Sequence, residues 1–125
     1  PSLDAILCSR LKMKDDLTRI PIFGIGCAGG IVGLQRCADI VSSRASRHCV
    51  LLSVELCSLT FPASGWNKVD VISASLFGDG CAAASVSEEP SGLKIRKYRS
   101  YTVPNSEWVM GWHFSCSFKR VARIC

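Results

Sequence analysis

The stretch FGIGCAGGIVGLQRCADI, residues 23–40, places a cysteine among glycines where an apolar run meets a helical pattern. Apolar residues recur at spacings of three and four, which predicts a helix over 28–43 with one buried face. Cys27 thus lies at a helix N-terminus, where unpaired backbone N–H groups stabilise a thiolate. This setting suits a nucleophile, and a buried structural cysteine is the alternative. The glycines that permit a sharp turn here are Gly26, Gly29 and Gly30.

The rest of the chain predicts helices alternating with short strands. Ser2 is a suitable N-cap for a helix over 3–11, and small residues favour a helix over a strand at 68–77. Short apolar or alternating runs predict strands at 20–26, 49–56, 81–87 and, at a sheet edge, 93–103.

Two of these strands are nearly continuous in apolar residues. The runs 49–56 and 81–87 are typical of strands covered on both faces, and with the helices they predict a layered α/β domain. The Gly-Asp-Gly sequence at 78–80 predicts a turn whose glycines adopt positive φ. Asp79 is interpreted there as a turn residue that bonds backbone N–H groups, not as a general base.

Length and hydropathy are typical of a single packed domain. The chain has 125 residues, of which 48% are hydrophobic. The most apolar segment, CVLLSVELCSLTF, is interrupted by Glu55 and is shorter than a membrane span. The first residues lack the basic start and cleavage site of a signal peptide. We therefore expect a soluble cytoplasmic protein with no membrane partner.

The positive charge does not indicate a nucleic-acid partner. The formal net charge is +5, and Lys119, Arg120 and Arg123 all lie in the acid-free segment 113–125. Without these three cations the charge is 5 − 3 = +2, and no basic stripe with interleaved aromatic residues remains. We expect no nucleic acid to bind.

The eight cysteines are predicted to be reduced thiols. Most of them lie in apolar runs, where a free cysteine behaves as a small hydrophobic residue. No C-x-x-C pair is present, and the two histidines, His48 and His113, are not at zinc-ligand spacing. We expect no metal and no cofactor, and Cys37 is interpreted as part of the core.

Three blocks in order resemble the thiolase superfamily and, within it, the type III polyketide synthases of the chalcone and stilbene synthase family. The blocks are GCAGGIVGLQRCADI, LLSVELCSLTF and ASLFGDGCAAASV. They match a Gly-Cys turn that opens a buried helix, a strand that ends in Val-Glu-Leu, and a Phe-Gly-Asp-Gly turn before an Ala-rich strand. The resemblance extends from Pro1 to about Trp112 and implies a thiolase-like layered αβαβα domain, here a central part of its N-terminal half.

The resemblance also implies roles for individual side chains. Cys27 matches the nucleophile that accepts an acyl group from coenzyme A, Phe77 matches an aromatic gatekeeper, and Thr60 matches a threonine that lines the cavity. Cys57 stands where the plant enzymes have threonine, and Ala28 stands where they have phenylalanine, so the chain resembles the microbial members. Without the family, Phe77 is interpreted as a core aromatic and Thr60 as a hydroxyl bonded to backbone.

The family's reaction needs more than these residues. The resemblance implies a starter acyl-CoA and malonyl-CoA as substrates and a homodimer in the full-length enzyme. It places the histidine and asparagine that stabilise the enolate in the C-terminal half, beyond position 125, and His113 does not match that histidine. We therefore divide the chain into a partial thiolase-like domain, 1–112, and a divergent basic tail, 113–125, interpreted as a truncated or frame-shifted reading.

Other functions are compatible with the same motifs. A β-ketoacyl carrier-protein synthase III has a similar Cys turn and Gly-Asp-Gly block, although VELCSLTF and Phe77 favour the polyketide branch. A non-catalytic remnant of either enzyme is a second alternative, because the enolate-stabilising residues are not in the chain. A cysteine-rich secreted module is a distant third.

Overall fold

The computed structural model describes residues 2–90 and 92–109. The predictions made for the segment 113–125, for the boundary after position 112 and for His113 lie outside the described residues. In chain order, the elements are α1 (Leu3–Arg10), the Cys27 turn (Gly26–Ala28, a 3₁₀ turn), α2 (Gly29–Ser42), β1 (His48–Glu55), the Cys57 turn (Cys57–Thr60, also 3₁₀), α3 (Lys68–Leu76) and β2 (Gly80–Ser87).

Strands β1 and β2 form an antiparallel pair. The register begins at His48 opposite Ser87 and ends at Glu55 opposite Gly80. Because directly opposite residues share a face, Leu51 and Ala84 lie on the same side of the sheet. The carboxyl end of β1 therefore lies beside the amino end of β2, so the loop after β1 and the loop before β2 lie close together.

Helix α2 packs on one face of this pair at very short range. A Cβ atom added to Gly33 would lie 2.6 Å from Leu51 Cδ1, and one added to Gly30 would lie 3.3 Å from Ser53 Oγ. Gly33 comes after Gly30 in α2, whereas its neighbour Leu51 comes before Ser53 in β1. Helix α2 and strand β1 therefore run in opposite directions. The N-terminus of α2 consequently lies over the carboxyl end of β1.

The buried core is small and lies between α2 and β1. Cys37 is 8% exposed and Val41 is 4% exposed, which confirms Cys37 as a core residue. Burial raises the pKa of the Cys37 thiol, and the neighbouring thiol of Cys49 on β1 raises this pKa further. Cys37 is therefore held as a neutral, apolar side chain, as expected of a cysteine inside a packed helix face.

The opposite face of the sheet is open, so the prediction of strands covered on both faces is wrong for the described chain. Burial alternates along β1, with Cys49, Leu51 and Ser53 half-buried under α2. On the other face Val50 and Leu52 are 61% and 48% exposed. Strand β2 is equally open, and most of its small side chains are exposed. The apolar run reflects a sheet with two apolar faces, of which α2 covers one.

Two predicted strands do not form. Residues 20–26 are irregular because Gly24 has φ +81° and Gly26 has φ +62°, values that interrupt an extended chain. The segment 93–103 is also irregular, and its backbone does not pair with the sheet. Two of its polar side chains form hydrogen bonds to α2. Tyr98 donates a hydrogen bond to Asp39, and Ser100 Oγ donates one to Gln35 Oε1 at 3.4 Å.

The helices agree better with the sequence. Helix α1 begins after Ser2 as predicted, although the Ser2 side chain makes no capping hydrogen bond. A capping box decides the ambiguous segment 68–77 in favour of helix α3. Asn67 Oδ1 accepts from the Asp70 backbone N–H at 3.0 Å, and Asp70 Oδ2 accepts from the Asn67 N–H at 2.9 Å.

In the part of the chain that the structure describes, no helix has the length and apolar character needed to span a bilayer.

Substituting Gly33 tests the close contact between α2 and β1. Gly33→Val is expected to lower the free energy of unfolding of the intact protein by about 1–3 kcal/mol, since the new side chain would overlap Leu51. Denaturant unfolding measures the loss. Gly29→Val is the matched control, because nothing lies within 4 Å of the Cβ it would add. Equal losses in the two variants would contradict the close contact, and adding Leu51→Ala to Gly33→Val should recover part of the loss.

Candidate functional site

Cys27 lies in the middle of a short turn that leads directly into α2. Its side chain is exposed, and the turn spans Gly26–Ala28. The backbone reverses through the positive φ of Gly24 and Gly26, whereas Gly29 has a helical φ of −55°. The glycine prediction is thus correct for Gly26, while Gly30 permits close packing on β1.

The Cys57 turn begins two residues after β1 ends and holds two further predicted site residues. Cys57 is half-buried and Thr60 is exposed. Thr60 Oγ1 donates a hydrogen bond to the Cys57 carbonyl at 2.7 Å, so its single donor is occupied by backbone. The same oxygen keeps lone pairs free to accept a hydrogen bond from a ligand.

Phe77 lies at the C-terminal end of α3, three residues before β2 begins. Its ring is half-buried, and its backbone N–H donates to the Ser73 carbonyl at 2.9 Å. The turn predicted at 78–80 does not form, because residues 78 and 79 are irregular and Gly80 is already the first residue of β2. Neither glycine has positive φ. The Asp79 side chain contacts the Cys57 turn.

Asp79 binds the Cys57 turn with both carboxylate oxygens. Oδ1 accepts from the Ser58 backbone N–H at 2.8 Å, and Oδ2 accepts from Ser58 Oγ at 2.6 Å. Asp79 accepts from one backbone N–H group as predicted, but that group belongs to Ser58 and not to the predicted turn, and the second donor is a hydroxyl. The sequence did not indicate Ser58 as the partner, because the two residues are 21 positions apart. We call this pair of hydrogen bonds the Ser58–Asp79 clasp.

All four predicted site residues lie at the same end of the sheet. Cys27 lies three residues before Gly30, which faces Ser53 near the end of β1. Cys57 and Thr60 come just after β1, and Phe77 comes just before β2. An open depression of about 310 Å³ lies at this end. It is lined by Ser53, Glu55, Gly78, Gly80, Cys81 and Ala82.

The clasp also lowers the pKa of Asp79. The Ser58 hydroxyl, and then the Ser58 backbone N–H, hold the pKa of the Asp79 carboxyl below its ordinary value. Asp79 is therefore charged at neutral pH and accepts charge-assisted hydrogen bonds. The described cysteines are all free thiols: Cys8, Cys27, Cys37, Cys49, Cys57 and Cys81.

Comparison with known proteins shows which family has this arrangement. Residues 1–90 match the family described as "Chalcone and stilbene synthases, N-terminal domain". The chain belongs to this family. The chain is 39% identical over 127 residues to a 1,3,6,8-tetrahydroxynaphthalene synthase from Streptomyces peucetius subsp. caesius. It is also 39% identical over 124 residues to a putative chalcone synthase from Bacillus subtilis (strain 168).

The chain spans about a third of the length of these relatives. The matches cover 97% and 92% of the chain but 33% and 34% of the Streptomyces and Bacillus proteins. The described structure matches the crystal structure of 1,3,6,8-tetrahydroxynaphthalene synthase from Streptomyces coelicolor A3(2), a bacterial type III polyketide synthase, with a TM-score of 0.83 and 27% identity over 94% of the chain. The predicted fold, a part of a thiolase-like α/β domain, is confirmed.

Acidification tests the clasp. Asp79 has a lowered pKa in the folded state, so its stabilising effect is complete above the ordinary value of 3.8 and is lost as the pH falls through the lower folded value. We expect Asp79→Asn to reduce the stability of the intact protein at pH 7. In acid, the difference in unfolding midpoint between the variant and wild type should become smaller. Thermal unfolding midpoints measured between pH 7 and pH 3 check this. Asp15→Asn, in the exposed connector after α1, is the control, and parallel pH profiles for wild type and Asp79→Asn would contradict the contact.

Proposed function

We propose that the protein is a type III polyketide synthase that loads an acyl group from a starter acyl-CoA onto Cys27 and extends it with units from malonyl-CoA. The placement of Cys27 carries this proposal: an exposed thiol on a turn at the N-terminus of α2, at the end of the sheet that also holds the Cys57 turn and Phe77. The polyketide synthases among the relatives and the crystal structure of similar fold support the same class of reaction.

Acyl loading uses the helix end directly. Cys27 lies directly before the N-terminus of α2, and its exposed thiol is open to an acyl-CoA. The thiolate sulfur attacks the thioester carbonyl carbon of the acyl-CoA, the bond from that carbon to the CoA sulfur breaks, and CoA leaves as a thiolate. The Cys27 backbone N–H is available to donate to the oxyanion of the tetrahedral intermediate.

Extension then releases the sulfur. Malonyl-CoA loses carbon dioxide, and the electron pair of the broken C–C bond forms an enolate. The enolate carbon attacks the acyl carbonyl carbon, and the bond from that carbon to the Cys27 sulfur breaks to regenerate the thiolate. The family's histidine and asparagine are expected to stabilise the enolate from the part of the enzyme beyond this chain.

The remaining predicted residues are proposed to shape the cavity. Phe77, half-buried at the end of α3, is proposed to separate the CoA tunnel from the cavity, as the matching aromatic gatekeeper of the family does. Thr60 offers an acceptor oxygen to the growing chain, because its proton is already donated to the Cys57 carbonyl. Cys57 contributes a half-buried thiol of low polarity. The homodimer and the cytoplasmic location stay predictions.

A carrier-protein synthase III is the competing activity. The relatives named above are polyketide synthases or a putative chalcone synthase, which favours the polyketide branch. The two activities differ in the form of the malonyl substrate. Purified full-length protein should form product from malonyl-CoA with no carrier protein present, and strict dependence on a carrier protein would favour the alternative.

Removing the sulfur of Cys27 tests the nucleophile. In the full-length enzyme, Cys27→Ala is expected to lower the rate of product formation from acyl-CoA and malonyl-CoA by at least about a thousandfold, since no acyl-enzyme can form. Mass measurement of the intact protein should show one acyl group on wild type and none on the variant.

Cys8→Ala is the matched control, because Cys8 is a half-buried thiol in α1. It is expected to keep the wild-type rate. An undiminished rate in Cys27→Ala would contradict the proposed role, and an acyl group found on another cysteine would reassign it. In wild type, iodoacetamide near neutral pH should modify Cys27 before the other thiols.

A further inference from the structure

The Ser58–Asp79 clasp joins two segments that the sheet no longer holds. The β-ladder between β1 and β2 ends at the Glu55–Gly80 pair. Beyond this pair β1 leads into the Cys57 turn, and β2 is preceded by the irregular residues 77–79. The clasp is the next hydrogen-bonded link between the two segments, at 2.8 and 2.6 Å.

Each half of the clasp lies next to a residue proposed to shape the cavity. Ser58 lies within the same 3₁₀ turn as Cys57 and Thr60, and its hydroxyl points to Asp79. Asp79 lies two residues after Phe77, and the glycines on either side of it line the open depression. The clasp therefore links the turn that holds Thr60 to the segment that follows Phe77.

The geometry of the clasp fits positioning better than local turn formation. An aspartate between two glycines can satisfy the backbone of its own turn. Asp79 instead directs both carboxylate oxygens to a residue 21 positions away. Two contacts from one residue fix both the distance and the orientation of the Cys57 turn, because the backbone N–H and the side-chain hydroxyl point along different directions.

We infer that Ser58 and Asp79 are positioning residues that hold the Cys57 turn and Phe77 at a fixed separation and thereby determine which acyl chains the cavity accepts. This inference rests on the proposed function. The clasp touches no reacting atom, so its effect is on the shape of the site. Geometry matters for such a role, because misplacement of a reacting group by about 1 Å can lower a reaction rate by about 100-fold.

The test compares starter selectivity in full-length Ser58→Ala, Ser58→Thr and Asp79→Asn. We expect Ser58→Ala to change the ratio of kcat/KM between a short and a long starter acyl-CoA by about tenfold, with a larger change in KM than in the rate of single acyl loading onto Cys27. Ser58→Thr keeps the hydroxyl and should restore the wild-type ratio. Asp15→Asn should leave the ratio unchanged.

A second readout does not depend on activity. Hydrogen exchange at peptide 56–61 should be faster in Ser58→Ala and Asp79→Asn than in wild type, because each variant loses the hydroxyl-to-carboxylate bond of the clasp. Ser58→Ala removes the hydroxyl, and Asp79→Asn replaces one carboxylate oxygen by an NH2 group that cannot accept. Exchange in α1 should stay the same. Unchanged exchange would overturn the clasp as an ordering contact.

The combined outcomes separate the two claims. Faster exchange with altered starter selectivity, restored by Ser58→Thr, supports the positioning role. Faster exchange with unaltered selectivity overturns it and leaves a merely structural contact. If the wild-type enzyme forms no product from malonyl-CoA with any starter, the proposed function fails and the selectivity role fails with it, while the exchange measurement still decides whether the clasp orders the turn.

Discussion

Helix α2 lies close against strand β1 where Gly30 and Gly33 face the strand, and this contact places Cys27. Gly30 and Gly33 have no Cβ atoms to hold the helix away from Ser53 and Leu51. Because the helix and the strand run in opposite directions, the N-terminus of α2 lies over the carboxyl end of β1. Cys27, the first turn of α2 and the loop after β1 therefore occupy one end of the sheet, and the chemistry proposed for Cys27 depends on that arrangement.

The same end of the sheet depends on a polar contact as well as on packing. Where the β-ladder ends, hydrogen bonds from Ser58 to Asp79 continue the connection between the two strands. This division of labour has a physical basis. Close packing of apolar groups fixes the helix on the sheet, whereas the Asp79 carboxylate accepts two hydrogen bonds from the exposed Ser58 and so holds the loop after β1.

The described chain leaves much apolar surface uncovered. Its buried hydrophobic residues are Cys37 and Val41, while the open face of β1 exposes Val50 and Leu52. The chain also spans about a third of the length of its relatives. A sheet with two apolar faces and one covering helix is an incomplete layer, and the layered architecture of the family provides for a second covering layer.

The sequence by itself determined the helices, the two paired strands, the position of Cys27 and the family, because periodicity, glycines and short motifs are local signals. The capping box of Asn67 and Asp70 was also present in the sequence and would have resolved α3. Tertiary structure decided the rest. A strand exists only where a partner supplies hydrogen bonds, so 20–26 and 93–103 could not be settled locally. Which face of β1 is covered and which residue Asp79 binds depend on chain segments that are distant in sequence, and no local pattern encodes them.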